Sequence, residues 1–232
     1  MTIEKGYRTE LTVDDITIDR RDVEMLEAID QHGSLHAAAT ALGRSYARLQ
    51  RRVVELEDSL GTLTERRRGG KGGGGTELTP AALDVIQQFE RHQTELEGVA
   101  RVADSVFTGT VQSRTGELGT VGTPAGPVIA LVPDGATTVQ VTVRSDAVVL
   151  SDPTADDNAN RTSFRNQFVG TVSSIETAEA IATVTLELEG KIALQTLITR
   201  TSLDSLGLEI GEPIHASFKA TAARAIPLGT ER

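Results

Sequence analysis

Leu63-Thr64-Glu65-Arg66-Arg67-Arg68-Gly69-Gly70-Lys71-Gly72-Gly73-Gly74-Gly75-Thr76-Glu77-Leu78-Thr79-Pro80 is the stretch that decides how this chain folds. The residues on either side of the glycines read as two short strands, and the glycines as a basic tip between them. Lacking side chains, such glycines let backbone come close to a phosphate or a minor groove, and Arg66, Arg67, Arg68 and Lys71 supply positive charge. Glycine-rich runs also cradle nucleotides, but the spacing of Gly, four residues, then Gly-Lys-Ser/Thr is absent. A plain linker shares this composition, so the run alone leaves a wing and a linker open.

Upstream, Asp19 precedes Val23, Leu26 and Ile29 at helical spacing, and the pattern stops at His32-Gly33. Ser34 is placed to cap a second helix with Leu35, Ala38, Ala39 and Leu42 on one face, broken by Gly43. Tyr46, Leu49, Val53, Leu56 and Leu60 then line one side of a third helix. Its other side carries Arg48, Arg51 and Arg52, with Arg44 and Ser45 just ahead. Two short helices joined by a glycine-containing turn, the second basic outside, make a helix-turn-helix that can lay its second helix in a major groove. An arginine-rich, solvated helix in any small bundle has the same pattern.

Downstream, Thr79 and Pro80 stand at the preferred cap and first-turn positions of a helix reaching about Val102, with an apolar stripe of Leu83, Ile86, Phe89, Leu96 and Val99. At about 35 Å it is longer than a small winged domain needs. Pairing with a second chain is one use for the surplus, and packing within the chain is another. A dimer of such domains calls for a pseudo-palindromic site.

The net charge of −10 argues against a polyanion partner taken as a sum, because such binding neutralises phosphates with Lys and Arg. Its distribution argues otherwise, since the segment from Arg44 to Lys71 concentrates basic residues. Lysine is confined to Lys5, Lys71, Lys191 and Lys219 while Asp and Glu are abundant, a balance resembling proteins of salt-loving microbes. With no cysteine there is no disulfide or Cys-ligated metal, and His32, His36, His92 and His215 lack strong ligand spacing. No run approaches a membrane span and Met1 to Glu10 is polar, so a cytoplasmic protein without membrane contact is expected.

Beyond about Ser105 composition turns to Val, Thr, Gly and Ser, and short strand-like runs follow one another: Thr108 to Val111, Leu118 to Val121, Val128 to Val132 and Val139 to Val143. The polar stretch Ser151 to Asn160 reads as a linker. Phe168-Val169-Gly170-Thr171-Val172 then echoes Phe107-Thr108-Gly109-Thr110-Val111, as a tandem duplication of one β module leaves behind. Chance recurrence in a Val- and Thr-rich chain gives the same echo. Ser163, Arg165, Asn166, Thr199, Ser202 and Lys219 are the residue types that bind a tetrahedral dianion. They are equally ordinary surface polar groups, and spacing does not show that they converge. No nucleophile-base pair, paired carboxylates or cofactor fingerprint is found, so no enzyme is expected.

The N-terminal part resembles the winged domain of ModE-type molybdate-responsive regulators, themselves akin to the LysR family. The carrying residues are Gly33-Ser34-Leu35-His36-Ala37-Ala38-Ala39, Gly43-Arg44-Ser45-Tyr46, and the run from Arg66 to Gly75 followed by Leu78-Thr79. Thr162-Ser163-Phe164-Arg165-Asn166-Gln167-Phe168, Ile198-Thr199-Arg200-Thr201-Ser202 with Leu206-Gly207-Leu208, and Ala216-Ser217-Phe218-Lys219-Ala220-Thr221 resemble the successive motifs of Mop or TOBE molybdate-binding modules. The resemblance implies an α+β chain in three parts. A winged helix-turn-helix with a long dimerisation helix spans 17–102, a degenerate first TOBE-like module 103–152, and an OB-like β-barrel module that binds oxyanion 161–227. It implies a homodimer on double-stranded operator DNA, contacted by Arg44, Ser45, Tyr46, Arg48, Arg51, Arg52, Arg66, Arg67, Arg68 and Lys71. Molybdate or tungstate would be the effector, held at a subunit interface by Ser163, Arg165, Asn166, Thr199, Ser202, Lys219 and the backbone N–H of Ala220. The expected function is an oxyanion-responsive transcriptional regulator of uptake or molybdenum-cofactor genes, with a storage or buffering protein as the alternative. Phe164 departs from the small residue usual between the Ser and Arg, and the first module lacks both the Ser-x-Arg-Asn and Phe-Lys-Ala-Thr patterns, which leaves the number of anions per dimer open.

Overall fold

The computed structural model describes residues 7–67, 75–152 and 162–229. It divides into two compact units with the boundary between Arg101 and Val102.

The first unit opens with a feature the sequence reading did not contain, a hairpin of Leu11–Val13 (β1) and Ile16–Ile18 (β2). Three-residue strands are too short to announce themselves by alternation. Helix α1, Arg20–His32, starts in a capping box: Asp19 accepts from the backbone N–H of Arg21 and Asp22, while the Asp22 carboxylate accepts from that of Asp19. It stops at Gly33, whose φ of 67° suits a residue without Cβ. Helix α2, Leu35–Ala41, is capped by the Ser34 hydroxyl accepting from Ala37 N–H at 3.1 Å. A turn through Gly43 leads to α3, Tyr46–Leu60. Val23, Ile29, Ala38, Ala39, Leu49, Val53 and Leu56 close a core between the three helices.

Thr64–Arg67 (β3) and Gly75–Leu78 (β4) pair antiparallel with Arg67 opposite Gly75. Arg68, Lys71 and the glycines from Gly69 to Gly74 lie outside the described residues. The root of this ribbon is firmly held. Glu57 accepts from the N–H of Leu63 and of Thr64 at 2.9 and 2.8 Å, and Thr76 N–H donates to the Gly33 carbonyl at 2.7 Å. A Cβ on Gly75 would lie 2.8 Å from that same carbonyl oxygen, so packing at the root demands a glycine there.

Helix α4, Pro80–Arg101, is pinned at its start by Thr79, whose hydroxyl donates to the Thr62 carbonyl and accepts from Ala82 N–H. Its apolar stripe divides. Phe89 is fully buried in the core of its own unit, whereas Leu83 is 44% exposed. Packing within the chain therefore takes part of the stripe.

Among the described residues the second unit holds ten strands in chain order: β5 Asp104–Thr115, β6 Leu118–Thr123, β7 Gly126–Leu131, β8 Thr138–Arg144, β9 Val149–Ser151, β10 Asn166–Thr177, β11 Ile181–Glu187, β12 Ala193–Thr199, β13 Pro213–Phe218 and β14 Ala223–Pro227. Helix α5, Arg200–Leu206, follows β12. The first sheet is a closed barrel in the order β14-β7-β6-β5-β8, and the second runs β12-β11-β10-β13-β9. These orders are the same once each strand is matched to its counterpart. A β-bulge falls between Val111 and Ser113 in β5 and between Val172 and Ser174 in β10, at the same distance from the echoed Phe-x-Gly-Thr-Val. Shared bulge, order and echo fit duplication better than chance.

The two modules, expected at 103–152 and 161–227, exchange a strand within one compact unit. After the 3-10 turn Ser145–Ala147, β9 leaves the first barrel and pairs with β13 of the second sheet. After the matching turn Ala220–Ala222, β14 pairs with β8 and touches β7 in the first barrel. Each module lends its last strand to the other. Local sequence carries no sign of this, because a strand reads alike whichever sheet it joins. Of the expected linker, 153–160 lies outside the described residues, and Ser151 ends β9. One hydrophobic core runs through both modules and is centred on Phe107, Phe168 and Phe218, whose rings lie 5.8 to 6.3 Å apart.

Phe218→Ala should therefore cost about 3–5 kcal/mol, and urea unfolding followed by circular dichroism should show both sheets lost in one transition. A first barrel that survives the loss of the second sheet would contradict a shared core.

Candidate functional site

The exposed face of α3 is narrower than its arginines suggest. Arg52 turns inward: its Nε and Nη2 donate to the two carboxylate oxygens of Asp22 at 2.8 and 2.7 Å, and Nη2 also donates to the Thr17 carbonyl. The Asp22 side chain is 8% exposed, so this fork neutralises a nearly buried carboxylate while joining α1, α3 and the β1–β2 hairpin. These hydrogen bonds outweigh the effect of burial and raise the Arg52 pKa above its ordinary value. Arg44 likewise donates to Glu24 at 2.6 Å and to the Arg21 carbonyl at 3.0 Å. Expected as DNA contacts, Arg52 and Arg44 are instead committed to holding α1.

Arg48 and Arg51 are exposed and form no ion pair among the described residues. Ser45 caps α3 through its backbone, its hydroxyl making no cap hydrogen bond among the described residues, and Tyr46 is 42% exposed beside His36, with ring centroids 6.2 Å apart. On the ribbon, Arg66 is exposed, while Arg67 pairs with Glu77 at 2.6 Å. Arg21, which sequence reading passed over as part of a helix start, lines the same recess as Arg48 and Arg51 and is exposed. Its signal would have been a cation at the first turn of a helix whose carboxylates are already engaged.

In the second unit the expected anion residues fall into two groups. Asn166 opens β10 opposite Phe218, the last residue of β13. This register brings Ser163 and Arg165 to the same end of the sheet as Lys219 and Ala220. Arg165 Nη1 donates to the carbonyls of Thr162 and Phe164 at 2.7 and 2.8 Å, so the guanidinium is held to the backbone while Nε and Nη2 have no partner among the described residues. Lys219 is exposed, and Ala220 is buried at the head of the 3-10 turn. Asn166 differs from expectation. It is 2% exposed, and its amide is bound at both ends by the backbone of Ile129, the oxygen accepting from N–H at 2.7 Å and the nitrogen donating to C=O at 2.8 Å. Buried and tied to β7, it is not presented at the surface as Arg165 and Lys219 are.

Thr199 and Ser202 make the other group, at the start of α5. The Thr199 hydroxyl accepts from Ser202 N–H at 3.1 Å and lies 2.9 Å from the Ser202 hydroxyl. They line a recess with Val149, Ile181, Ile198 and Leu206, and Ser163, Arg165 and Lys219 are not among its lining residues. Among the described residues no hydrogen bond links the groups. One chain thus presents a cationic half and a hydroxyl half separately.

The first module presents neither. Aligned on Phe107 and Phe168, Asp104 stands where Arg165 does and Val102 where Ser163 does. Arg144 matches Lys219, but it is taken by Asp146, and no helix follows β7.

Comparison with known proteins finds the TOBE domain at residues 162–225 and the helix-turn-helix of bacterial regulatory proteins of the lysR family at 20–83. The molybdenum transport protein ModE of Herbaspirillum seropedicae is 32% identical over 88% of this chain and 89% of its own length. The transcriptional regulator ModE of Yersinia pestis is 26% identical over 87% of this chain and 63% of its own length. Among solved structures, the cytoplasmic molybdate-binding protein ModG with molybdate bound is 27% identical, covers 53% of this chain and 95% of its own, and superposes with a TM-score of 0.46.

Arg52→Ala should lower stability by about 3 kcal/mol, because it strands the Asp22 carboxylate. Arg48→Ala and Arg51→Ala should each change it by less than about 0.5 kcal/mol. Urea midpoints measured on the three variants check this, and equal losses in all three would contradict the division of labour.

Proposed function

As the chain belongs to the ModE family of transcriptional regulators, we infer that it is a molybdate-responsive, DNA-binding regulator whose Arg48, Arg51, Ser45, Tyr46 and Arg66 meet the operator. Ser163, Arg165, Lys219 and the Ala220 N–H supply one half of the oxyanion site, and Thr199 and Ser202 of a second copy supply the other. The observation that carries this reading is one chain joining a winged helix-turn-helix with free arginines on α3 to a module that gathers Arg165 and Lys219 at one sheet end. A storage protein would leave Arg48 and Arg51 without a task.

The chemistry follows from charge and geometry. A tetrahedral dianion has four acceptor oxygens, and Arg165, Lys219, three hydroxyls and a backbone N–H can donate to them; Asp146 lines the recess of the hydroxyl half, so the attraction for an anion comes from the cationic half. Tungstate has the same charge and nearly the same shape as molybdate, so it is an expected second effector, whereas the smaller sulfate would not span both halves. The separation of the halves within a chain, together with the exposed Leu83 on α4, supports a homodimer. Two recognition helices would then be spaced for a pseudo-palindromic operator. Binding to chromosomal DNA places the protein in the cytoplasm, and among the described residues no helix is long and apolar enough to cross a membrane.

Isothermal titration with sodium molybdate, tungstate and sulfate, repeated with duplex DNA from upstream of an oxyanion-transport gene, tests the reading. Molybdate and tungstate should bind well above sulfate and change DNA affinity. Lys219→Ala should lose the anion and keep DNA, and Arg48→Ala with Arg51→Ala the reverse. DNA binding that ignores every oxyanion would leave only a winged-helix regulator.

A further inference from the structure

We propose that Asn166 is a positioning residue through which occupancy of the anion site is passed to the first barrel. The proposal rests on Arg165 being an anion ligand, as read above. Asn166 follows Arg165 directly, yet its amide reaches across the module boundary to Ile129 of β7, with both of its bonds at 2.7 to 2.8 Å and the residue almost wholly buried. Ile129 sits opposite Thr120 of β6, and β14 meets β7 at the single pair Arg224 and Leu131. The amide of Asn166 thus fills the place a strand would take, satisfying one N–H and one C=O of β7. Withdrawing it would leave two half-buried backbone groups of β7 unpaired, which favours the two strands moving together.

The reciprocal contact is weaker. Ser105, the counterpart of Asn166 in the first module, accepts a single bond from Gln195 N–H of β12 at 2.8 Å. Beside it the buried Thr196 hydroxyl donates to the Val148 carbonyl at 2.9 Å, so of these side-chain ties it is Asn166 that lies next to Arg165. On the anion side, Arg165 is already tied to the carbonyls of Thr162 and Phe164, the backbone that leads into β10. An anion that draws on the guanidinium draws on that backbone and, one residue later, on the clamp over β7. On the far side, β5 of the same barrel begins at Asp104, after only Val102 and Ala103 beyond the end of α4. A ligand shifts such a system only by favouring one arrangement, and a rigid clamp lets a preference at Arg165 be felt in the first barrel.

The test compares the full-length wild type with Asn166→Ser, which shortens the side chain to that of its counterpart Ser105. Sodium molybdate binding is measured by titration, operator affinity with and without molybdate by fluorescence anisotropy, and amide exchange at Ile129 by NMR. In the wild type, molybdate should slow exchange at Ile129 and change operator affinity within the usual coupling range of about 5- to 150-fold. In Asn166→Ser the protein should still bind molybdate, the operator ratio should collapse to about one, and Ile129 should exchange at a rate indifferent to molybdate. A variant with the wild-type ratio would overturn the proposal, and so would a wild type whose Ile129 exchange ignores saturating molybdate. The latter decides the matter even if the variant does not fold. A wild type that takes up no molybdate at all sinks instead the functional reading on which the proposal stands.

Discussion

The reciprocal exchange of β9 and β14 is the constraint on which the rest of the β unit depends. Because each sheet is completed by the other module's last strand, neither can be displaced without uncovering hydrogen-bonding edges and the core around Phe107, Phe168 and Phe218. The two modules are mechanically one body, and a force applied at one end is not absorbed by a loose joint between them. This permits division of labour. One module carries Arg165 and Lys219, while its twin has Asp104 and an Arg144 already engaged by Asp146 at the matching positions.

In the helical unit the corresponding organiser is the fork between Arg52 and Asp22. Asp22 helps to close the capping box of α1 and at the same time receives Arg52 from α3, so the start of one helix and the middle of another are fixed by one carboxylate. Arg44 repeats the theme at Glu24. Charge that looks available for DNA in the sequence is partly spent on aiming the helix that carries the rest.

Much of this was legible in the residues. Caps at Asp19, Ser34 and Thr79, the breaks at Gly33 and Gly43, and the apolar spacing of the first three helices are local signals with local causes, and the structure follows them. The strand runs and the Phe-x-Gly-Thr-Val echo were equally plain. What escaped depends on partners distant in sequence. Arg48 and Arg52 are indistinguishable until Asp22 is brought beside one of them. Asn166 sits in a motif full of anion-binding types, and only the approach of Ile129, far away in the chain, gives its amide to the backbone. Strand exchange is hidden for the same reason, since Val149–Ser151 and Ala223–Pro227 carry no mark of the sheet they will join.

The exchange also sets a relation between time of synthesis and time of folding. The first barrel is encoded ahead of the second sheet, but its closing strand, β14, leaves the ribosome only after all of β10 to β13. The chain must carry an open first sheet through the making of the whole second module, and β9 must wait for β13 before it has a neighbour. A polypeptide that stops before Ala223 would thus leave the first barrel open although the rest of it had long been made. The winged domain, complete before either, is free of this dependence, so truncation would separate the part that binds from the part that listens.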